Sequence, residues 1–125
     1  MMNFPDNLKY TREHEWVRAD GAEAVIGVTD FAQKALGDIV FVDIDTEGET
    51  LAAGEKFGTV EAVKTVSDLF MPIGGKIISV NTSLEIAPET VNKDPYGEGW
   101  MIRIQTDESA DSLMSASEYE EFTKE

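Results

Sequence analysis

Lys64 lies in a segment where its side-chain amine could take part in covalent chemistry. The segment Gly58–Asp68 places this lysine between two runs of residues that favour β-strands. We expect the runs to form a β-hairpin with Lys64 at its exposed tip, although no Asn-Gly or Gly-Gly pair marks the turn. A primary amine there is open to acylation or to Schiff-base formation. Because most exposed lysines are only solvated surface, the choice depends on the flanking sequence.

Other kinds of chemistry are restricted by residue counts. The chain has no cysteine and one histidine, His14. Disulfides, thiolate metal sites and multi-histidine metal sites are therefore excluded, and any redox chemistry requires a cofactor. A lone imidazole usually serves packing or hydrogen bonding, so we expect a structural role for His14.

The first part of the chain predicts the strands that must position this lysine. Glu13–Arg18 and Ala22–Val28 read as an opening hairpin with an Asp-Gly turn. Thr29 or Asp30 can cap a short helix that ends at Gly37. The strands expected next are 39–44, which looks buried, then 57–63, 66–71 and 76–80. We expect the large aromatic residues of the strands to belong to the core, namely Trp16, Trp100, Phe41 and Phe57.

The last part of the chain predicts one more strand and a terminal helix. Pro88 marks a short helical turn, a loop follows, and 100–104 reads as the final strand. Ser115 and Glu118 have the spacing of a capping box that opens a C-terminal helix. Short strands separated by turns predict a mainly β fold, a small flattened barrel or sandwich with short peripheral helices. At 125 residues, we expect one domain spanning 1–125.

The charge balance restricts the partners. Lys and Arg number 10 against 25 Asp and Glu, a formal net charge of −15. This charge disfavours nucleic acid and anionic membranes. The sequence shows neither a signal peptide nor an apolar run of the roughly 20 residues that a membrane span needs. We expect a cytoplasmic monomer.

Several segments resemble the glycine cleavage system H protein family, a family of lipoyl-carrier proteins. The attachment sequence of that family is similar to Glu61–Asp68, which contains Lys64. The likeness extends over nearly the whole chain, and plain lipoyl or biotinyl domains lack it. The other matching stretches are Tyr10–Val17, Gly27–Gln33, Leu36–Val42, Val91–Met101 and Glu118-Tyr119. The resemblance implies a carrier of the barrel-sandwich hybrid type rather than an enzyme.

The resemblance also implies a cofactor and a set of partners. Lipoic acid would be joined to Lys64 as an amide by a lipoate-attaching enzyme. The arm would receive an aminomethyl group from a pyridoxal phosphate-dependent glycine decarboxylase (P protein) and deliver it to a folate-dependent aminomethyltransferase (T protein). A dihydrolipoamide dehydrogenase (L protein) would reoxidise the dithiol.

A pocket for the loaded arm is implied as well. The aminomethyl amine is cationic near neutral pH, so carboxylates can hold it. The likeness suggests Glu15 and Asp68 for this role, with Ser67 and His14 close by. At Glu13 the chain departs from the family, which generally has Ser or Thr there, and any hydroxyl contact at that position is lost.

Three other functions are compatible with the same residues. The protein could relay lipoate to other enzymes, use Lys64 as a Schiff-base nucleophile, or serve as an unmodified interaction module. An exposed hairpin tip argues against the Schiff-base function, because that chemistry requires a desolvated amine. Intact mass and a glycine exchange assay discriminate among the others.

Overall fold

The computed structural model of the protein describes residues 2–124, which form two antiparallel sheets and short helices. The strands are β1 (Lys9–Tyr10), β2 (Glu15–Asp20), β3 (Glu23–Val28), β4 (Ile39–Asp43), β5 (Thr50–Leu51), β6 (Lys56–Ala62), β7 (Val66–Phe70), β8 (Gly75–Val80) and β9 (Ile102–Gln105). The helices are α1 (Asp30–Leu36), α2 (Ser83–Ile86), α3 (Thr90–Lys93) and α4 (Ala116–Thr123). The mainly β fold expected from the sequence, with short helices and a C-terminal helix, is confirmed.

The strand order explains how the chain makes a sandwich. One sheet has the order β1-β2-β3-β9-β8-β5 and the other the order β4-β6-β7. All neighbouring strands run antiparallel, and tight turns join the pairs β2–β3 and β6–β7, which are consecutive in the chain. The opening hairpin turns at Gly21, whose φ of 64° suits a residue without a Cβ. The hairpin that contains Lys64 belongs to the smaller sheet.

Two apolar clusters hold the larger sheet in place. Ala24, Ile26 and Val28 of β3 point into the cluster between the two sheets, where they meet residues such as Val60. The alternate residue Val25 points to the other side, as strand periodicity requires. There it joins the second cluster, which is made with α4 by Leu8, Tyr10, Trp16, Ala116 and Tyr119. The C-terminal helix therefore covers the outer face of the larger sheet.

The helix caps follow the sequence signals. The Thr29 hydroxyl accepts a hydrogen bond from the Ala32 amide, and Gly37 ends α1 with a φ of 83°. Ser115 and Glu118 form the capping box expected at the start of α4. Among residues 2–124 no helix is long and apolar enough to cross a membrane.

The structure corrects the prediction that 39–44 is a buried strand. Val40 and Phe41 are each 49% exposed, so Phe41 is not a core residue, whereas Phe57 is fully buried. The outer face of the three-stranded sheet is open to solvent. In β4 only Ile39 and Val42 are buried, and the other three residues are exposed. The short elements β1, β5 and α2 were not expected, because two to four residues carry too little pattern.

We expect Gly27→Ala to destabilise the fold by about 1–3 kcal/mol, because a Cβ there would overpack the core. An ideal Cβ on Gly27 lies 2.7 Å from the Trp16 ring, which is fully buried. Urea denaturation monitored by tryptophan fluorescence measures the change. Gly21→Asn is the matched control, since that site is open and Asn tolerates a positive φ. Equal stability of the two variants would contradict the close packing.

Candidate functional site

Lys64 lies at the tip of the β6–β7 hairpin, as expected. Glu61 lies opposite Val66, and the Ala62 amide donates to the Thr65 carbonyl at 2.8 Å, which leaves Val63 and Lys64 as the two turn residues. Neither has a positive φ, so the turn is not one of the primed types that Asn-Gly marks. This explains why the usual turn signal is missing from the sequence. The Lys64 side chain is exposed.

The tip is tied to the loop between α1 and β4. The Val63 amide donates to the Asp38 carbonyl at 3.1 Å, although the Val63 side chain is 76% exposed. The Lys64 Cε lies 3.7 Å from where a Cβ of Gly37 would be. The lysine stem thus passes beside the helix-ending glycine at ordinary van der Waals distance. The described residues contain no group of three or more His, Asp or Glu side chains placed to hold a metal ion.

An exposed row of two apolar residues and one acid crosses the outer face of the smaller sheet next to the tip. Strand pairing places Glu61 between Phe41 and Val66. All three residues are exposed, and the two apolar ones are large enough to contact another protein. The row combines apolar surface with a carboxylate immediately before the lysine.

A small cavity of about 130 Å³ lies on the inner side of the same hairpin. The structure places Glu15, Ser67 and Asp68 together on its walls, as expected from the sequence. The other wall residues are Glu13, His14, Val28, Ala32, Ala35, Leu36, Val60 and Leu69. Its apolar floor comes from β3, α1 and the two hairpin strands. Ser67 lies only three residues from Lys64, roughly 10 Å along an extended strand.

Glu15 is the most buried acid of the site, with 1% of its surface exposed. Its Oε1 accepts from the Thr11 hydroxyl at 2.9 Å, and its Oε2 accepts from the Phe70 amide at 3.2 Å. Because Glu15 belongs to the larger sheet and Phe70 to the smaller one, this carboxylate joins the two sheets. It also occupies a free amide on the edge strand β7.

Burial raises the pKa of Glu15 to about 7, and the neighbouring Glu13 adds to the rise. Burial is the larger cause, because it disfavours the charged form, whereas the hydrogen bonds from Phe70 and Thr11 oppose it. A carboxyl with a pKa close to 7 exchanges its proton readily near neutral pH. Such groups cluster at functional sites.

Ser67 and Asp68 face different surroundings. The Ser67 hydroxyl is 3.5 Å from the Asp68 carbonyl oxygen, which is too long for a strong hydrogen bond, so it remains available to a ligand. Asp68 is on the opposite side of β7, where its carboxylate lies 3.3 Å from the Lys56 Nζ and is 49% exposed. It contributes to the rim of the cavity rather than to its interior.

A larger cavity of about 440 Å³ lies beyond Glu15, farther from the lysine along β7. It is bounded by the start of the chain, by the turn after β7 and by the segment before α4, with Tyr10, Phe70, Pro72 and Met114 among its walls. Glu15 borders both cavities. The smaller one is the candidate for an arm on Lys64, because its walls begin at the hairpin itself.

Two features of the site were not expected from the sequence. His14 has a φ of 69°, the one positive value for a non-glycine among residues 2–124. Its Nδ1 lies 2.7 Å from the hydroxyl of Tyr119 on α4. No short-range pattern signals a contact across 105 residues of chain. The imidazole does make a hydrogen bond within the fold, and its structural role stays a prediction.

We expect Glu15→Gln to remove a pH-dependent cost in stability. The folded-state pKa of Glu15 lies above its unfolded value, so its stabilising contribution is present below about pH 4.5 and is lost as the pH rises through about 7. The free energy of unfolding of the variant, relative to that of the original protein, should therefore be about 3 kcal/mol higher at pH 8 than at pH 4. Urea denaturation at both pH values measures it. A difference that does not depend on pH would contradict a raised pKa.

Comparisons with known proteins agree on one family. The profile of the family described as Glycine cleavage H-protein matches residues 8–125. The glycine cleavage system H protein of Bacteroides fragilis is 60% identical over 120 residues, covering 94% of this chain and 95% of that protein. The one from Salinibacter ruber is 55% identical over 124 residues, covering 98% and 100%.

A solved structure gives the same result. The crystal structure of a glycine cleavage system H protein from Mycobacterium marinum superimposes with a TM-score of 0.87 at 42% identity, covering 97% of this chain and 99% of that one. The resemblance and the barrel-sandwich fold expected from the sequence are confirmed. Sequence and structure together establish that this chain belongs to the glycine cleavage H-protein family.

Proposed function

We propose that the protein carries a lipoyl group as an amide on Lys64 and shuttles an aminomethyl group within the glycine cleavage system. The whole chain, 1–125, would serve as one carrier domain. The observation that carries the proposal is the position of Lys64, exposed at a hairpin tip beside a small cavity that contains a buried acid. The protein is then a cofactor-carrying component rather than an enzyme.

The residues around Lys64 fit an acylated lysine. An attaching enzyme must reach the Nζ, and the side chain is exposed. The two-residue turn holds the lysine in a fixed place, because the tip is closed by one hydrogen bond and tied to Asp38 by another. The lysine stem lies beside Gly37 at the end of α1. Burial, which a Schiff-base lysine needs, is missing here.

The lipoyl group supplies a disulfide that accepts a carbon unit, a chemistry that no cysteine of the chain can supply. The protein's own residues bind and protect the cargo. The apolar wall that includes Leu36, Val60 and Leu69 excludes water, and Ser67 offers a free hydroxyl. An amine enclosed there is shielded from hydrolysis.

Glu15 is suited to hold the cationic amine of the cargo. An opposite charge within about 4–6 Å favours the ionised form of a carboxyl, so the approaching amine promotes loss of the Glu15 proton. The Thr11 and Phe70 donors keep the carboxylate in place, and each oxygen has a further lone pair for the amine. Asp68 attracts the amine at the rim, where it must compete with Lys56.

The exposed row next to Lys64 suits brief contact with several partners. Phe41 and Val66 supply apolar contact area, while Glu61 and the net charge of −15 favour partners with basic rims. We propose the glycine decarboxylase, the aminomethyltransferase, the dihydrolipoamide dehydrogenase and a lipoate-attaching enzyme as these partners. A cytoplasmic monomer would meet each of them in turn.

Intact mass spectrometry with peptide mapping tests the attachment. Protein isolated from its native host should carry one lipoyl-sized mass increment, located on Lys64. Lys64→Arg should abolish the increment and all glycine–bicarbonate exchange with the partner enzymes. Lys76→Arg is the matched control, because Lys76 is also exposed but lies in β8, outside the β6–β7 hairpin.

Two outcomes would contradict the proposal. An unmodified Lys64 in cells that lipoylate other proteins would leave an interaction module as the better function. A lipoylated protein that does not support exchange would instead point to a lipoate relay.

We expect Glu61→Ala to slow lipoylation by roughly two- to tenfold without unfolding the protein, because a rim charge mainly affects the association rate. Glu61 is exposed on the row that an attaching enzyme must approach. The rate is measured by mass shift with purified enzyme. Glu47→Ala, an exposed acid in the turn before β5, is the control. Equal rates for both variants would remove Glu61 from the recognition surface.

A further inference from the structure

A chain of three side chains links the C-terminal helix to the wall of the small cavity. The hydroxyl of Tyr119 on α4 lies 2.7 Å from the His14 Nδ1 and 2.7 Å from the Thr29 hydroxyl. Tyr119 and Thr29 are fully buried. Neither residue has a part in the function proposed above.

The direction of these hydrogen bonds follows from counting donors and acceptors. The Thr29 hydroxyl already accepts the Ala32 amide hydrogen as the cap of α1. If it also accepted from Tyr119, its own hydrogen would have no acceptor in a fully buried place, which costs about 1–3 kcal/mol. Thr29 therefore donates to Tyr119, and Tyr119 donates to the His14 Nδ1. His14 is then the neutral imidazole with its hydrogen on Nε2.

The remaining nitrogen of His14 is partly accessible. Nε2 makes no hydrogen bond to a residue in 2–124, and no completely buried side-chain nitrogen or oxygen of that range lacks a partner, so Nε2 is not completely buried. The ring lies 4.7 Å from the Phe31 ring and borders the cavity. A left-handed backbone at a non-glycine residue stores strain of about 1–2 kcal/mol, which often marks a functional position.

The surroundings of His14 show why its charge state matters for a cationic cargo. Glu13 and Glu15 flank it in its own segment, and Asp68 of β7 lies at the cavity rim with its carboxylate next to Lys56. Helix α1 presents only apolar wall residues beside Phe31. From α4 come Tyr119 and Phe122, and the Arg12 guanidinium lies over the Phe122 ring. Burial lowers the pKa of His14 although Glu13 opposes this. A charged imidazole would repel a cationic amine and compete for the same carboxylates.

We propose that Tyr119 is a positioning residue that holds His14 as a neutral imidazole with its Nε2–H at the wall of the cargo cavity. The inference rests on the function proposed above. It makes the C-terminal helix part of the carrier site, because the hydroxyl that fixes the tautomer of His14 is on that helix. The cavity then keeps its negative charge for the amine.

The single histidine allows a direct test by ¹⁵N NMR on the unmodified protein. We expect a pure Nε2–H tautomer and a slowly exchanging Tyr119 hydroxyl proton. Tyr119→Phe should remove that proton signal and introduce the other tautomer. Tyr10→Phe is the matched control, because Tyr10 stacks on Tyr119 at 4.8 Å and its own buried hydroxyl donates to Pro5, away from His14. An Nδ1–H tautomer in the original protein would overturn the inference.

The second readout is the release of ammonia from loaded protein without partner enzymes. Tyr119→Phe should speed release about fivefold, because losing the hydrogen bond that favours the neutral imidazole makes its charged form, which repels the amine, about fivefold more populated. Tyr10→Phe should not change the rate. His14→Asn keeps a residue that tolerates a positive φ and serves if Tyr119→Phe unfolds. The double variant should be no faster than either single one. Additive effects, or equal release from Tyr10→Phe, would overturn the inference.

Release from the original protein as fast as from free lipoamide would show that the cavity holds no cargo. That result would contradict the proposed role of the cavity in holding cargo. The inference would then fail as well, whichever tautomer NMR shows.

Discussion

The contact between the Glu15 carboxylate and the Phe70 amide is the constraint on which the site depends. It joins the six-stranded sheet to the edge of the three-stranded one, and its carboxylate residue borders both cavities. An unpaired amide on an edge strand invites contact with other chains, and here a side chain occupies it. The same carboxylate forms part of the cavity wall, so one group serves both the sandwich and the site.

Placing an acid at this contact has an energetic cost that a neutral amide side chain would avoid. The burial that raises the pKa of Glu15 to about 7 disfavours its charged form. A cation in the cavity removes this penalty, because it stabilises the carboxylate where water cannot. The protein without cargo is thus less stable at this position than it would be with a neutral side chain. In the proposed function, this cost would be recovered as binding energy when a cationic amine arrives.

Much of the fold could be predicted from the sequence, because its signals are local. The Thr29 cap, the Gly37 helix end and the Ser115 capping box each depend on residues a few positions apart. The exposed face of β4 was predicted wrongly, because Val40 and Phe41 read as core residues when the open side of a small sheet is not considered. The position of Lys64 at a hairpin tip was predicted, although its turn type was not. The link from His14 to Tyr119 depends on how α4 packs, which no local pattern encodes.

The two acids proposed to hold the cargo would contribute differently, because their surroundings differ. Asp68 is half exposed and lies next to Lys56, so its attraction for a cation is weakened by water, by salt and by a competing charge. Glu15 is enclosed, so its interaction with the same cation is much stronger. A site built from exposed acids alone would attract an amine without retaining it. A carrier must retain its cargo between partners and still release it, and a single buried acid whose pKa lies close to 7 meets both needs.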